Sequence, residues 1–421
     1  MAANAVSVAS RPLQAAGFNV DTVRADFPIL TEQVHGKPLV YLDSANTSQK
    51  PVSVLQAMDH YYRHANANIH RATHLLSERA TALYEGSRAK AAMFLNAPDP
   101  HTIVLTKGTT DGLNLVAQSY GRSTLKAGDE ILLTWLEHHS NIVPWQMVAE
   151  QTGAVIKVVP INDAGELDLD QYAALLSSRT KILAVGHVSN ALGTINPIKA
   201  MIAQAHAAGA VVVVDGAQAV PHLVVDVQDL DCDFYVLSSH KMFGPTGTGV
   251  LYGRASLLEA MPPYQGGGDM IASVTFEKTL YNQVPYKFEA GTPNMAGVVG
   301  LGAAIDYLAG IDREAALAHE DAVLDYATTQ VRQIPGSRIV GEAGHKTGVL
   351  SFVLEGVHPH DAGTILDQQG VAVRTGQHCA QPVMDRFGIP ATIRASLGIY
   401  NTREDIDALV RGLHKVRELF I

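Results

Sequence analysis

Between residues 102 and 253, short apolar runs alternate with stretches of helical periodicity, and this alternation constrains the fold more than any other feature. TIVLT (102–106), EILLT (130–134), AVIKVV (154–159), KILAVG (181–186) and AVVVVD (210–215) read as strands, with helical patterns between them, the first at 109–120. A run that is apolar at successive positions has no solvent face, and crossover helices are what parallel strands require. The pattern therefore predicts βαβ units and a mostly parallel sheet buried on both sides. FYVLS (234–238) and GVLYG (249–253) are too close for a helical crossover, so one of them is expected to run antiparallel.

The character changes after residue 289. AGVVGLGAAIDYLAG (296–310) reads as a helix rich in small residues, followed by strands at GVLSFVL (348–354) and VAVRT (371–375) and a last helix from about residue 404. With 421 residues, two domains are expected. The division is a large domain over 36–295, a smaller α+β domain over 296–421, and a leading segment, 1–35, that packs with the small domain. No repeat or low-complexity linker interrupts the chain.

A formal net charge of −10 argues against a nucleic-acid partner, which calls for a basic footprint. No apolar run approaches the roughly 20 residues that span a bilayer. Two cysteines, Cys232 and Cys379, are too few for a disulfide scaffold, so a reducing, cytoplasmic compartment is expected. The first residues lack the charged-then-apolar pattern of a secretory signal. They are poor in acidic residues and carry Arg11, which leaves an organellar transit segment open.

Several segments carry chemistry. Lys241 ends SSHK, directly after the strand FYVLS and before a glycine-rich turn. A lysine partly withdrawn from water has its neutral amine favoured, which suits Schiff-base chemistry; the plain alternative is a lysine snorkelling from a strand end. Asp215 closes AVVVVD, at the strand end where such sheets bind ligands. A carboxylate there needs a cationic partner, and a pyridinium nitrogen is one; the plain alternative is a helix N-cap. KGTTDG (107–112) joins a strand to a helix, so its N–H groups and the hydroxyls of Thr109 and Thr110 suit a phosphate, although capping threonines are common. EHHSN (137–141) sets two histidines at another strand end, fit to bind metal, stack on a flat cofactor or move protons. HVSN (187–190) follows the next strand, and no zinc-type spacing supports a metal.

These motifs, with YLDSANTSQKP (41–51), LEHHSNIVPWQ (136–146), HVSNALGT (187–194), VDGAQAVPH (214–222), DCDFYVLSSHKMFGPTG (231–247), FEAGTPN (288–294), RTGQHCAQP (374–382) and RASLGIYNT (394–402), run in an order that resembles the fold-type I, aminotransferase class V enzymes. The similarity is greatest to the group II, Suf-type cysteine desulfurases, and it covers the chain from about residue 25 onward. It implies pyridoxal 5'-phosphate (PLP) on a seven-stranded, mostly parallel sheet flanked by helices. Lys241 would carry the cofactor, Asp215 would pair with its ring nitrogen, Gln218 would bond its phenolic oxygen, and His138 would stack on the ring and assist proton transfer. Thr109, Thr110, Ser238 and His240 would hold the phosphate. Thr292 would reach the phosphate of a second subunit, which makes a homodimer with shared sites. Asn190, Arg374 and Arg394 would bind the substrate carboxylate.

Cys379 lies beside a histidine, near arginines, in a loop bounded by glycine and proline, a setting that suits an accessible nucleophile; on the residues alone an ordinary loop cysteine is the equal alternative. The resemblance makes it the acceptor of sulfur from L-cysteine, which leaves as L-alanine. It also implies passage of sulfur to a SufE-like or SufU-like acceptor for iron–sulfur cluster assembly. Cys232 leads into an apolar strand and reads as core. Two positions depart from the family pattern: Gln377 stands where a second histidine is usual, and Ser239 where glycine is usual. A selenocysteine lyase or cysteine-sulfinate desulfinase could use the same fold without a thiol. Another class V enzyme, a transaminase or kynureninase-like lyase, would not need RTGQHCAQP. A non-catalytic PLP-binding scaffold is the alternative outside enzymes, against which the intact set Lys241, Asp215, His138, Arg394 and Cys379 argues.

Overall fold

The computed structural model describes residues 18–71 and 73–420. Seven strands form the large sheet: β1 (Ile103–Thr106), β2 (Glu130–Thr134), β3 (Val155–Val159), β4 (Thr180–Gly186), β5 (Val211–Asp215), β6 (Phe234–Ser238) and β7 (Gly249–Gly253). Their spatial order is β1-β7-β6-β5-β4-β2-β3. β7 runs antiparallel to both neighbours and the other pairings are parallel. The short β6–β7 connection thus resolves as expected, with GVLYG as the reversed strand.

Alternate residues of these strands enter different cores. Leu132, Leu183, Val185, Val212 and Val214 pack in one cluster, while Ile131, Leu133, Ile182, Ala184 and Val213 pack in another on the opposite face. Successive side chains point to opposite faces, so helices on both sides leave no polar positions, which is why the runs read as continuously apolar. Five parallel strands (β2 to β6) end on one edge. Glu137 and His138, His187 to Asn190, Asp215 and Lys241 all lie at or just beyond those ends.

The helices that matter for the site are α1 (Leu75–Phe94), α2 (Thr109–Val116), α3 (Val143–Thr152), α4 (Met295–Ala309), α5 (Arg313–Arg332) and α6 (Arg403–Phe420). The stretch expected to be helical, 109–120, is helical throughout: α2 passes into a π-helical turn at Ala117–Gly121 and a last α-helical piece at Arg122–Thr124. α4 is buried along most of its length, and its glycines lie against Pro245, Met58 and Ser87, where a Cβ would collide.

The small sheet has order β8-β9-β11-β10, from β8 (Ser337–Val340), β9 (Val349–Leu354), β10 (Arg374–Gly376) and β11 (Thr392–Ser396), all antiparallel. It packs with α5 and α6 in a separate core containing Val323, Phe352, Ile393, Leu409 and Leu413. VAVRT is not one strand. Val371–Ala372 pairs in parallel with Val40–Tyr41, and only from Arg374 does the chain join β11. The N-terminal part of the described chain is tied to this end of the molecule. Arg24 donates to the Tyr400 carbonyl (2.9 Å) and pairs with Asp405 (3.0 Å), and the Phe27 ring meets Tyr400 edge-on. The residues on which the transit reading rests lie outside the described residues. Among the described residues no single helix is long and apolar enough to cross a membrane.

Candidate active site

Lys241 ends a one-turn 3-10 helix that continues β6, and its half-buried side chain faces the sheet edge. Burial lowers its ammonium to about 8; the Asp215 carboxylate opposes the shift, and Arg394 and Arg374 add to it. Asp215 is buried, and burial raises its carboxyl, against an N–H donor and Lys241. The bond it receives among the described residues comes from the Ala217 N–H at 3.0 Å. It thus stabilises a turn and starts no helix, and its second oxygen remains for a cation.

The turn after β2 is built around Glu137. This buried carboxylate accepts from Thr134 Oγ1 (2.6 Å), Gly186 N (3.0 Å) and Asn141 Nδ2 (2.6 Å). It thereby joins the ends of β2 and β4 to the EHHSN turn. Asn141 cannot flip its amide, because Trp145 Nε1 donates to its Oδ1 at 3.0 Å. Burial pushes Glu137 up to about 7 although three donors pull the other way. His138 is held at about 3, first by burial and then by Lys241, so its ring is neutral. The Ser140 N–H donates to its Nδ1 at 3.0 Å, which leaves the ring proton on Nε2.

Glycines make a cradle at the start of α2. A Cβ on Gly108 would crowd Ser238 Oγ, and one on Gly249 would strike Gly108 Cα at 2.5 Å. Ser238 Oγ donates to Thr109 Oγ1 and accepts from Thr109 N, each at 2.8 Å. Thr109 and Ser238 are buried, whereas Thr110 stands exposed at the helix start. His240 contacts Thr47 Oγ1 through Nδ1 at 3.2 Å, and burial lowers it to about 4. Gln218 Nε2 donates to the Ala45 carbonyl at 2.6 Å. Thr292 is exposed beside a cavity of about 360 Å³ that Lys107, Asp111, Gly247 and Thr248 also line.

Arg374 and Arg394 are cross-strand partners on β10 and β11. Like charges placed opposite one another are destabilising, so this pair is an anion site in the making. Arg394 is fully buried. It donates to the Asn190 carbonyl (2.8 Å) and to Asp43 (3.1 Å), while its Nε is buried without a partner among the described residues. Burial lowers it to about 10; Asp43 resists and Arg374 assists. Arg374 donates to Asn46 Oδ1 (2.7 Å) and reaches Cys379 Sγ at 3.5 Å, which sets a positive charge beside the sulfur. The Asn190 side chain does not point freely into the site: its Nδ2 donates to the His378 carbonyl at 2.6 Å.

Cys379 is half-buried, and both it and His378 adopt left-handed backbone, φ 55° and 54°. Gln377 is exposed, while His378 is buried with Nε2 on Thr392 Oγ1 at 2.8 Å. The titratable ring in this loop is therefore one that points away from solvent, held at about 3 by burial and then by Arg394. Cys232 is wholly buried in the core. Ser239 is also buried, its hydroxyl without a partner among the described residues. Sequence reasoning marked His139 only as the second histidine of EHHSN, with no role of its own, and gave none to Glu137, Thr392 or Lys50. Lys50 bonds the Ser48 and His240 carbonyls and so helps pin the turn that carries Lys241. Only its place in TSQK, far from SSHK in sequence, would have hinted at this.

The residues fit PLP. A buried carboxylate with a spare oxygen, a desolvated amine and a glycine cradle at a helix start converge on one sheet edge, and Arg394 Nε has no hydrogen-bond partner among the described residues. Residues 40–409 match the aminotransferase class-V family. The chain is 54% identical to a cysteine desulfurase of Synechococcus elongatus over 96% of its own length, and spans 64% of that protein. It is 51% identical to a probable cysteine desulfurase of Vibrio cholerae, covering 96% of this chain and 99% of the relative. Among solved structures it resembles the Escherichia coli cysteine desulfurase CsdA, with TM-score 0.90, 44% identity, and 96% and 100% of the two chains covered. An apo cysteine desulfurase from Thermococcus onnurineus aligns with TM-score 0.91 at 38% identity, covering 97% and 99%.

Proposed function

This chain belongs to the aminotransferase class-V family, and from that premise we infer that it is a PLP-dependent cysteine desulfurase that moves sulfur from L-cysteine onto Cys379 and releases L-alanine. The observation that carries this reading is the Cys379 sulfur 3.5 Å from the Arg374 guanidinium, which is itself the cross-strand partner of Arg394.

Lys241 would bond the cofactor aldehyde, with Asp215 at the ring nitrogen, Gln218 at the phenolic oxygen and His138 over the ring. Thr109, Thr110, Ser238 and His240 would hold the phosphate, together with Thr292 of a second copy. Bound PLP supplies an electron sink for charge that develops at the substrate Cα. The chain's own groups do the rest. Arg394, through its unpaired Nε and assisted by Arg374 and Asn190, orients the substrate carboxylate. Once Lys241 is free, its neutral amine takes the Cα proton. Neutral His138 presents its Nε2–H toward the site. The Cys379 thiolate, beside the Arg374 charge, attacks the substrate sulfur and keeps it as a persulfide. A desulfinase or selenocysteine lyase would have no use for a thiol held there.

The persulfide would pass to a SufE-like or SufU-like acceptor in the cytoplasm and feed iron–sulfur cluster assembly. The experiment is to give the PLP-loaded protein L-cysteine and a thiol reductant and to quantify L-alanine and sulfide. Equal amounts of both are expected; no alanine would overturn the reading.

A further inference from the structure

His139, the second histidine of EHHSN, turns away from the Lys241–Asp215 pair and toward the cysteine loop. Its backbone N–H donates to the Cys379 carbonyl at 2.8 Å, and its ring Nε2 accepts from the Gln381 N–H at 3.1 Å. One residue therefore grips the loop at the cysteine's own carbonyl and again two residues beyond it. Because Nε2 accepts a backbone N–H, the neutral ring carries its proton on Nδ1.

The loop needs such a grip. His378 and Cys379 both sit in left-handed backbone, which is strained for a residue with a Cβ. Such a conformation persists only where its surroundings impose it. Three residues do so through four hydrogen bonds: Asn190 on the His378 carbonyl, Thr392 on the His378 ring, and His139 on residues 379 and 381. Of these, the two His139 bonds hold the backbone at and just after the cysteine, while Arg374 reaches its sulfur. The His139 bonds also cross from the large domain to the small one, and His139 is covalently next to His138, whose height is fixed by the Glu137 clamp.

We propose that His139 is a positioning residue for sulfur transfer, fixing the Cys379 thiol at the distance from the substrate sulfur that the attack requires. The proposal rests on the desulfurase reading above. In that transfer the substrate Cβ–S bond breaks and an S–S bond to Cys379 forms. The sulfur is oxidised to the sulfane level, and the former Cβ is reduced to the methyl of alanine, so no outside oxidant is needed. Attack along a defined line is sensitive to position, and a displacement of about 1 Å can cost roughly 100-fold.

The test compares wild type, His139→Ala and His139→Gln, each loaded with PLP. Glutamine presents an acceptor oxygen near the place of Nε2 and cannot titrate. For His139→Ala we expect kcat for alanine formation from L-cysteine to fall about 10- to 100-fold, with KM changed less than about twofold and the bound-cofactor absorbance unchanged. Alkylation of the PLP-loaded protein by iodoacetamide in the absence of L-cysteine gives a second readout. Cys232 is buried, so Cys379 is the thiol that reacts, and its rate should rise at least about threefold as the loop loosens. His139→Gln should restore both quantities toward wild type. An unchanged kcat in His139→Ala overturns the proposal, as does a fall in kcat without faster alkylation, or a glutamine variant as impaired as alanine. If the wild type itself makes no alanine, it is the desulfurase reading that fails.

Discussion

Lys241 can add to an aldehyde only as a free amine, so its protonation decides how the cofactor is captured. Burial brings it from the usual lysine range to about 8. The lowered value favours the neutral form, so the capture rate should climb steeply as pH rises toward 8 and level off above it. An ordinary lysine would keep climbing to beyond about 10. Mixing cofactor-free protein with PLP across this range, followed by absorbance, distinguishes the two. A second residue-scale expectation concerns Ser239. Its buried hydroxyl has no partner and occupies the space that a Cβ on Gly244 would need. Ser239→Ala should be thermally neutral or stabilising by about 1 kcal/mol, and Gly244→Ala destabilising by about 1–3 kcal/mol, both read from melting curves. Lys241, Asp215 and His138 drew attention in sequence because each stands at or just past the end of an apolar run, whereas Arg394 lies within a strand and was singled out through the resemblance. Their tuning was not legible, since burial and the Arg374–Arg394 opposition arise only when distant segments meet.

At the scale of elements, the β2–α3 turn is the critical piece. Glu137 faces three donors, and the Asn141 orientation is locked by Trp145. Glu137→Gln keeps the shape but turns one acceptor into a donor that meets another donor. The expected cost is about 1–3 kcal/mol, measured by denaturant unfolding, with a weaker hold on PLP. An unchanged stability would mean that the turn is held by its backbone alone. The large-sheet strands were readable because both faces are covered, which leaves an unbroken apolar run. VAVRT misled because it has the same look while serving two sheets, first beside Val40–Tyr41 and then beside β11. Local pattern reports burial, and it does not report which strand is the partner.

At the scale of the molecule, the two cores are joined by Arg24, Phe27 and the segment around Asp43 to Ser48, which reaches both Arg394 and the turn of Lys241. Thr292 is exposed beside its own cavity, and the hairpin of Ile271–Val274 and Thr279–Tyr281 exposes Val274, Phe276, Leu280 and Tyr281. An apolar patch of this kind suits a subunit interface. We therefore expect a homodimer in which Thr292 serves the partner's phosphate. Lys241→Ala and Thr292→Ala subunits, mixed and allowed to exchange, should regain activity, because one site then holds both native residues. Activity no greater than the sum of the separate variants would contradict shared sites.

The central claim is that the sulfur lands on Cys379. The direct test is a single turnover of the PLP-loaded protein with L-cysteine and no reductant, followed by alkylation, digestion and mass measurement of the two cysteine peptides. The account predicts one added sulfur atom on the peptide containing Cys379, none on that of Cys232, and almost no alanine from Cys379→Ala. Sulfur on another residue, or alanine from Cys379→Ala at the wild-type rate, would contradict it.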